Sequence, residues 1–259
     1  MPEIETGTRR LTQAVIHLNY LTHNWRLLQR EVGNTALWPV LKANAYGHDA
    51  AIVARHLVKL GCRTFCVADV GEAAALADNG VNAKFIVLSA TLPEHADALV
   101  QKDCEPVVCA MEMVEALAAA AKKARTQLAV HVKVDTGMGR LGIRPEEAPG
   151  FVDRCCNFPM LRIRGLMSHF PRADETDLGY SLEQLARFKK VIQATHRHGI
   201  EFRQMANSAA IFHLAQSHFD AVRPGIALYG LKPATTVTHP GVLDLKPVLE
   251  WKSRIIFLK

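Results

Sequence analysis

Leu37-Trp38-Pro39-Val40-Leu41-Lys42-Ala43-Asn44-Ala45-Tyr46-Gly47-His48 is a short apolar run that closes on a lysine and breaks at once into small residues, a tyrosine and a glycine. The segment that follows, 49–60, has helical period, so the stretch reads as a strand handing over to a helix. Lys42 sits at that junction. Lysine is rarely buried without a partner. One desolvated at a strand end can have its pKa lowered and act as an amine nucleophile or Schiff-base former. A surface lysine opening a loop is the ordinary alternative, and the remainder of the chain has to decide between them.

Outward from this unit the pattern repeats. Apolar runs at 37–42, 63–68, 83–89, 104–109, 127–135, 161–168, 200–206 and 219–223 alternate with segments of helical period at 20–31, 49–60, 70–79, 94–102, 111–124, 146–155, 181–198 and 207–216. The segment from Met111 places acids early and lysines late, as the helix dipole prefers. In 181–198, Leu182, Leu185, Phe188 and Ile192 form an apolar stripe with Ser181 placed to cap it. The strand runs are continuously apolar and do not alternate, which marks a parallel sheet covered on both faces. Eight strand-then-helix units are the number that closes a (β/α)8 TIM barrel. A doubly wound open sheet is the alternative.

The ends stand outside this repeat. Residues 14–18 are strand-like but precede the first unit by a helix, and 248–259 form a β-prone run ending in Ile255, Ile256, Phe257 and Leu258. Such an edge needs a cover. We therefore expect a barrel domain over 13–240 and, over 241–259, the opening of a further β domain.

Composition narrows the class. The chain has 259 residues, 49% hydrophobic and 22% charged, with a formal charge of +6. Its basic residues are interspersed with acids, so a nucleic-acid surface is not indicated. No stretch of apolar residues is long enough for a membrane span, and no signal peptide precedes the first element. The six cysteines form no CxxC pair and mostly sit in apolar runs, which fits reduced thiols of a cytoplasmic protein and neither a disulfide framework nor a metal site.

In such a barrel the chemistry sits at the C-terminal strand ends. There the sequence offers Lys42 and Tyr46, then Leu88-Ser89, then Lys133 and Asp135 running into Thr136-Gly137-Met138-Gly139-Arg140. After these come Ser168-His169, Ala206-Asn207-Ser208 and Arg223-Pro224-Gly225-Ile226. Each alone has a plain reading: a glycine loop, a structural histidine, a helix cap, a turn. The glycine spacing matches neither a Walker loop nor a dinucleotide fingerprint. Together they put a lysine, two arginines, a histidine, a tyrosine and two anion-compatible loops on one face.

The motifs Lys42-Ala-Asn-Ala-Tyr-Gly-His48, Lys133-Val-Asp-Thr-Gly-Met-Gly-Arg-Leu-Gly142, Ala206-Asn-Ser-Ala-Ala210 and Arg223-Pro-Gly-Ile-Ala-Leu-Tyr-Gly230 resemble, in order, those of the alanine racemases, the fold-type III pyridoxal phosphate enzymes. The resemblance runs from about Ala14 to Lys259. It implies that Lys42 holds pyridoxal 5'-phosphate as a Schiff base and is one of two catalytic bases. It implies that Arg223 faces the pyridine nitrogen and that Arg140 meets the cofactor's phenolic oxygen and the substrate. Tyr46, Ser208 and the backbone at Gly225 and Ile226 would hold the phosphate, with Asn207 close by. His169 would join the network around these groups, Leu88 would line the pocket, and Lys133 matches a position that relatives can carry carbamylated.

The chain also departs from the family. Gln204 stands where relatives commonly have a histidine that supports the arginine facing the pyridine. Asp49 stands in place of a glycine, where it can cap the following helix. The opposite-face base of the family is a tyrosine of a C-terminal β domain, supplied across a homodimer interface. A chain limited to these residues is thus expected to bind cofactor with little full racemisation. The implied activity is racemisation of a small amino acid, alanine foremost and serine or a basic amino acid as alternatives, which in bacteria supplies D-alanine for peptidoglycan. A single-domain pyridoxal phosphate carrier and a fold-type III decarboxylase are the other readings.

Overall fold

The computed structural model of the protein describes residues 11–234 and 239–259. Its strands are β1 (Gln13–Ile16), β2 (Ala36–Leu37), β3 (Thr64–Val67), β4 (Lys84–Val87), β5 (Glu105–Val108), β6 (Leu128–Lys133), β7 (Leu161–Met167), β8 (Phe202–Gln204), β9 (Ala221–Val222) and β10 (Leu249–Lys252). β2 to β9 form one parallel sheet in the order β2-β9-β8-β7-β6-β5-β4-β3. The seam between its two outer members is closed by a parallel bridge, Val40 with Cys66. There Cys66 N–H donates to Pro39 O and Leu41 N–H to Cys66 O, each at 2.8 Å. The sheet is therefore a closed eight-stranded barrel, and the open doubly wound alternative falls away.

The helices fall where the apolar periodicity places them. Leu18–Val32 buries Leu21, Trp25, Leu28 and Val32, a three-and-four spacing that turns one face to the barrel. Asp49 caps Ala50–Lys59 by accepting from Ile52 N–H at 3.0 Å, as its sequence position suggests. Ser181 does not cap its helix. That helix begins two residues earlier, at Gly179, which leaves Ser181 buried inside it.

β1 and β10 make a separate antiparallel pair, with Ile16 opposite Leu249 and Gln13 opposite Lys252. Trp251, Ile255, Ile256, Phe257 and Leu258 are exposed. Among the described residues all six cysteines are free, no three metal-ligating side chains gather, and no helix is long and apolar enough to cross a membrane.

Candidate active site

One cavity of about 690 Å³ opens at the C-terminal ends of the barrel strands. Lys42, Tyr46, Leu88, Lys133, Arg140, His169, Asn207, Ser208, Arg223, Gly225 and Ile226 all line it, so every site residue read from the sequence meets in one place. Its size lies within the range of small-molecule sites.

The backbone beneath Lys42 is unusual. Strand pairing stops before it, and Ala43, Asn44, Ala45 and Tyr46 follow at φ 52, 53, 55 and 54, a left-handed helical turn built without glycine. Four such residues store on the order of 4–8 kcal/mol, at roughly 1–2 kcal/mol each. The surroundings hold the turn. Ala45 N–H donates to Leu41 O at 2.7 Å, His48 Nδ1 lies 3.0 Å from both Ala45 O and Tyr46 O, and Asn44 Oδ1 accepts from Ala50 N–H at 2.8 Å. Glu72 accepts from Ala43 N–H at 2.6 Å and from Ala68 N–H at 2.7 Å, bridging the turn to the loop after β3. The turn brings Lys42 Nζ to 5.8 Å from the centre of the Tyr46 ring. A right-handed turn would project the two side chains differently.

Tyr46 then meets the loop after β9. A Cβ on Gly225 would stand 2.6 Å from the Tyr46 hydroxyl, so only glycine admits this approach. Ser208 Oγ accepts from Gly225 N–H at 2.9 Å and Ala227 N–H at 3.2 Å, while Asn207 Oδ1 caps Ser208–His213 through Ala210 N–H.

Arg223 is buried at 4% exposure and held on several sides. Its Nη1 donates to Gln204 Oε1 at 2.9 Å and its Nη2 to Ser168 O at 2.7 Å, with His169 Nδ1 at 3.3 Å from Nη2. Burial pulls its pKa down to about 10, which still leaves it cationic at neutral pH. Burial, then the charges of Arg223 and Lys133, push His169 well below 6.5 and keep it neutral. Lys133 is likewise driven well below 10.5, by burial first and then by Arg223 and Arg140.

Arg140 reaches the cavity from a loop folded around Asp135. That carboxylate accepts from Gly137, Met138 and Gly139 N–H at 2.7–3.1 Å. Although burial alone would raise its pKa, these amides hold it below 3.8. Residues not singled out from the sequence also line the wall, among them Phe170, Pro171 and Asp174. Glu72, Glu105 and His131, which support it from behind, carried no local signal because their partners lie on other strands.

The family described as "Alanine racemase, N-terminal domain" matches residues 16–233. An alanine racemase of Halothermothrix orenii is 41% identical over 253 residues, covering 96% of this chain and 66% of the relative. One of Desulfovibrio desulfuricans is 39% identical, covering 95% and 67%. The solved alanine racemase of Clostridium difficile 630 in complex with cycloserine superposes at a TM-score of 0.93 with 29% identity, over 98% of this chain and 70% of that one. That of Streptomyces coelicolor A3(2) does so at 0.86 with 34% identity. The chain thus spans about two thirds of the length of the curated relatives it matches. On the match of sequence and barrel together, the chain belongs to the alanine racemase family, over that family's N-terminal domain.

Proposed function

We propose that this chain is the cofactor-binding barrel of a pyridoxal 5'-phosphate-dependent alanine racemase. The observation that carries the reading is the meeting of Lys42, Tyr46, Arg140, Ser208, Arg223 and Gly225 on one cavity. The donor set fits the cofactor: one amine for its carbonyl, a buried guanidinium for its ring, and a hydroxyl-bearing, glycine-opened corner for its phosphate. Pyridoxal phosphate, when bound, supplies the electron sink that makes the α-proton of an attached amino acid acidic.

The residues divide the work. Lys42 would hold the cofactor through its carbonyl and serve as the base for the α-proton on one face. Arg223, cationic at neutral pH, would meet the ring of the cofactor and, with no proton to yield there, would leave it a weaker electron sink, which favours racemisation over transamination. His169 Nδ1 and Ser168 O hold the Arg223 guanidinium at the cavity wall. Tyr46, Asn207, Ser208 and the backbone of Gly225 and Ile226 would secure the phosphate, and Leu88 would wall the ring. Arg140 would serve the phenolic oxygen and the substrate. Burial lowers the pKa of Lys133 and so makes its unprotonated amine more accessible; carbamylation there, with loss of a proton, would give an anion able to orient Arg140.

The remaining assignments rest on the family. The substrate is alanine, the site is completed by a second copy in a homodimer, and the location is cytoplasmic. We assign the barrel to 13–240 and the opening of a second domain to 241–259; β10 lies outside the eight-stranded sheet, which supports setting 241–259 apart, and its pairing with β1 puts Gln13–Ile16 on the same side as β10. Titration with pyridoxal 5'-phosphate is expected to give the visible band of a lysine-linked cofactor, lost in Lys42→Ala. Retention of that band in the variant would refute the assignment. Exchange of the α-hydrogen of L- and D-alanine in deuterated water separates an enzyme from a cofactor carrier and reports which face holds a base.

A further inference from the structure

Beneath the cavity a file of polar side chains runs through the barrel interior, which in such folds is ordinarily filled by branched apolar residues. Arg223 Nη1 donates to Gln204 Oε1, the Gln204 amide nitrogen lies 3.2 Å from His131 Nδ1, and His131 Nε2 lies 2.9 Å from Glu105 Oε2. The other oxygen of Glu105 accepts from Arg164 Nη1. Gln204 and His131 are 0% exposed and Glu105 is 3% exposed. Gly165 makes the space, since a Cβ there would stand 2.1 Å from His131 Nδ1.

The file has only one consistent direction. A carboxylate accepts and cannot donate, so the His131 nitrogen facing Glu105 carries the proton. In a neutral ring the opposite nitrogen, Nδ1, is then an acceptor and takes a hydrogen from the Gln204 NH₂. That turns Gln204 Oε1 to Arg223, which only donates. Burial holds His131 below 6.5 and hence neutral, while His131 and Arg164 keep Glu105 ionised against its own burial. An isolated glutamine could point either end of its amide at the arginine, and the wrong end would set NH₂ against guanidinium.

We propose that Glu105 and His131 are positioning residues: by orienting the amide of Gln204 they present an oxygen to Arg223 and fix the guanidinium at the cavity wall. The inference rests on the reading that Arg223 meets the cofactor ring. It assigns a task to two buried polar residues that the chemistry itself never touches.

Glu105→Gln keeps the shape and inverts the polarity. Its oxygen serves the charged Arg164, its NH₂ faces His131 Nε2, the ring proton moves to Nδ1, and Gln204 is reversed against Arg223. Adding Gln204→Glu gives both neighbours an acceptor again. The test is NMR of the histidine ring nitrogens together with titration of the full chain with pyridoxal 5'-phosphate. Expected is an Nε2-protonated His131 in the wild type and an Nδ1-protonated one in Glu105→Gln. Cofactor dissociation constants should rise about tenfold or more in the single variant and recover to within about threefold in the double. If Glu105→Gln does not fold, Gln204→Met, which removes the oxygen facing Arg223 together with the NH₂ facing His131 and leaves Glu105 in place, is expected to show the same loss.

An Nδ1-protonated His131 in the wild type overturns the proposal. So does a cofactor affinity within about twofold of wild type once the tautomer has switched, or in Gln204→Met. A wild-type chain that binds no pyridoxal phosphate would count against the proposed function, and the tautomer measurement would still decide the relay.

Discussion

Ala43 to Tyr46 concentrate the cost of the site in four residues. Their left-handed φ values are ordinary for glycine and unfavourable for alanine, so the turn persists only because its amides have acceptors. Ala43→Gly is therefore expected to raise stability by up to about 1 kcal/mol, the reverse of its effect in a right-handed helix, as read from the urea midpoint. Glu72 is the outside brace. Glu72→Ala leaves two amides without their acceptor and should cost about 1–2 kcal/mol while far-ultraviolet circular dichroism stays unchanged. It should also slow borohydride trapping of pyridoxal phosphate on Lys42; trapping at the wild-type rate would show that the brace does not act on the lysine. The suspicion that Lys42 was more than a surface lysine came from the sequence. The handedness of the turn behind it did not, because Ala-Asn-Ala-Tyr carries none of the glycines that announce positive φ.

At the scale of elements, the loop after β6 shows how a short motif becomes a rigid arm. Asp135 gathers the amides of Gly137, Met138 and Gly139, Tyr180 Oη donates to Gly137 O at 2.5 Å, and Arg187 Nη1 to Thr136 O at 2.9 Å. Gly142 returns the chain at φ 134, where an added Cβ would stand 2.5 Å from Asp135 N. Gly142→Ala is expected to cost about 2–3 kcal/mol and to weaken whatever Arg140 binds, while Gly139→Ala, with open space at its Cβ, should cost less. Equal costs at the two glycines, measured by denaturant unfolding, would remove the steric explanation. Existence and order of the elements were legible from periodicity. Strand ends were not: 37–42 read as one apolar strand, yet the strand is Ala36–Leu37, followed by single backbone hydrogen bonds from Trp38, Val40 and Leu41 to Val222, Pro224 and Cys66. Hydrophobicity marks burial, and burial continues to Leu41, four residues past the end of β2 at Leu37.

Over the whole molecule, the buried histidines set the response to acid. His131 and His169 are held below 6.5 by burial, so the unfolded chain takes up protons there before the native one does. The slope of stability on pH is then positive, and stability present at neutral pH falls as the pH drops through about 6.5. Glu105, depressed below 4.5, adds to the fall at lower pH in the same sense. Melting temperatures are expected to decline steadily between about pH 7.5 and pH 5, less so in His169→Asn; a flat profile would contradict neutral burial of these rings. The sequence by itself determined the barrel and the face that carries the cavity, because eight continuous apolar runs admit few arrangements and a parallel barrel gathers its strand ends. For the same reason it brought together the residues that line the cavity. Only the tertiary structure decided how they are held: the left-handed turn, the Glu72 brace, and the file from Glu105 to Arg223 join residues from separate strands. Those contacts depend on closure of the barrel, which no local pattern of residues encodes.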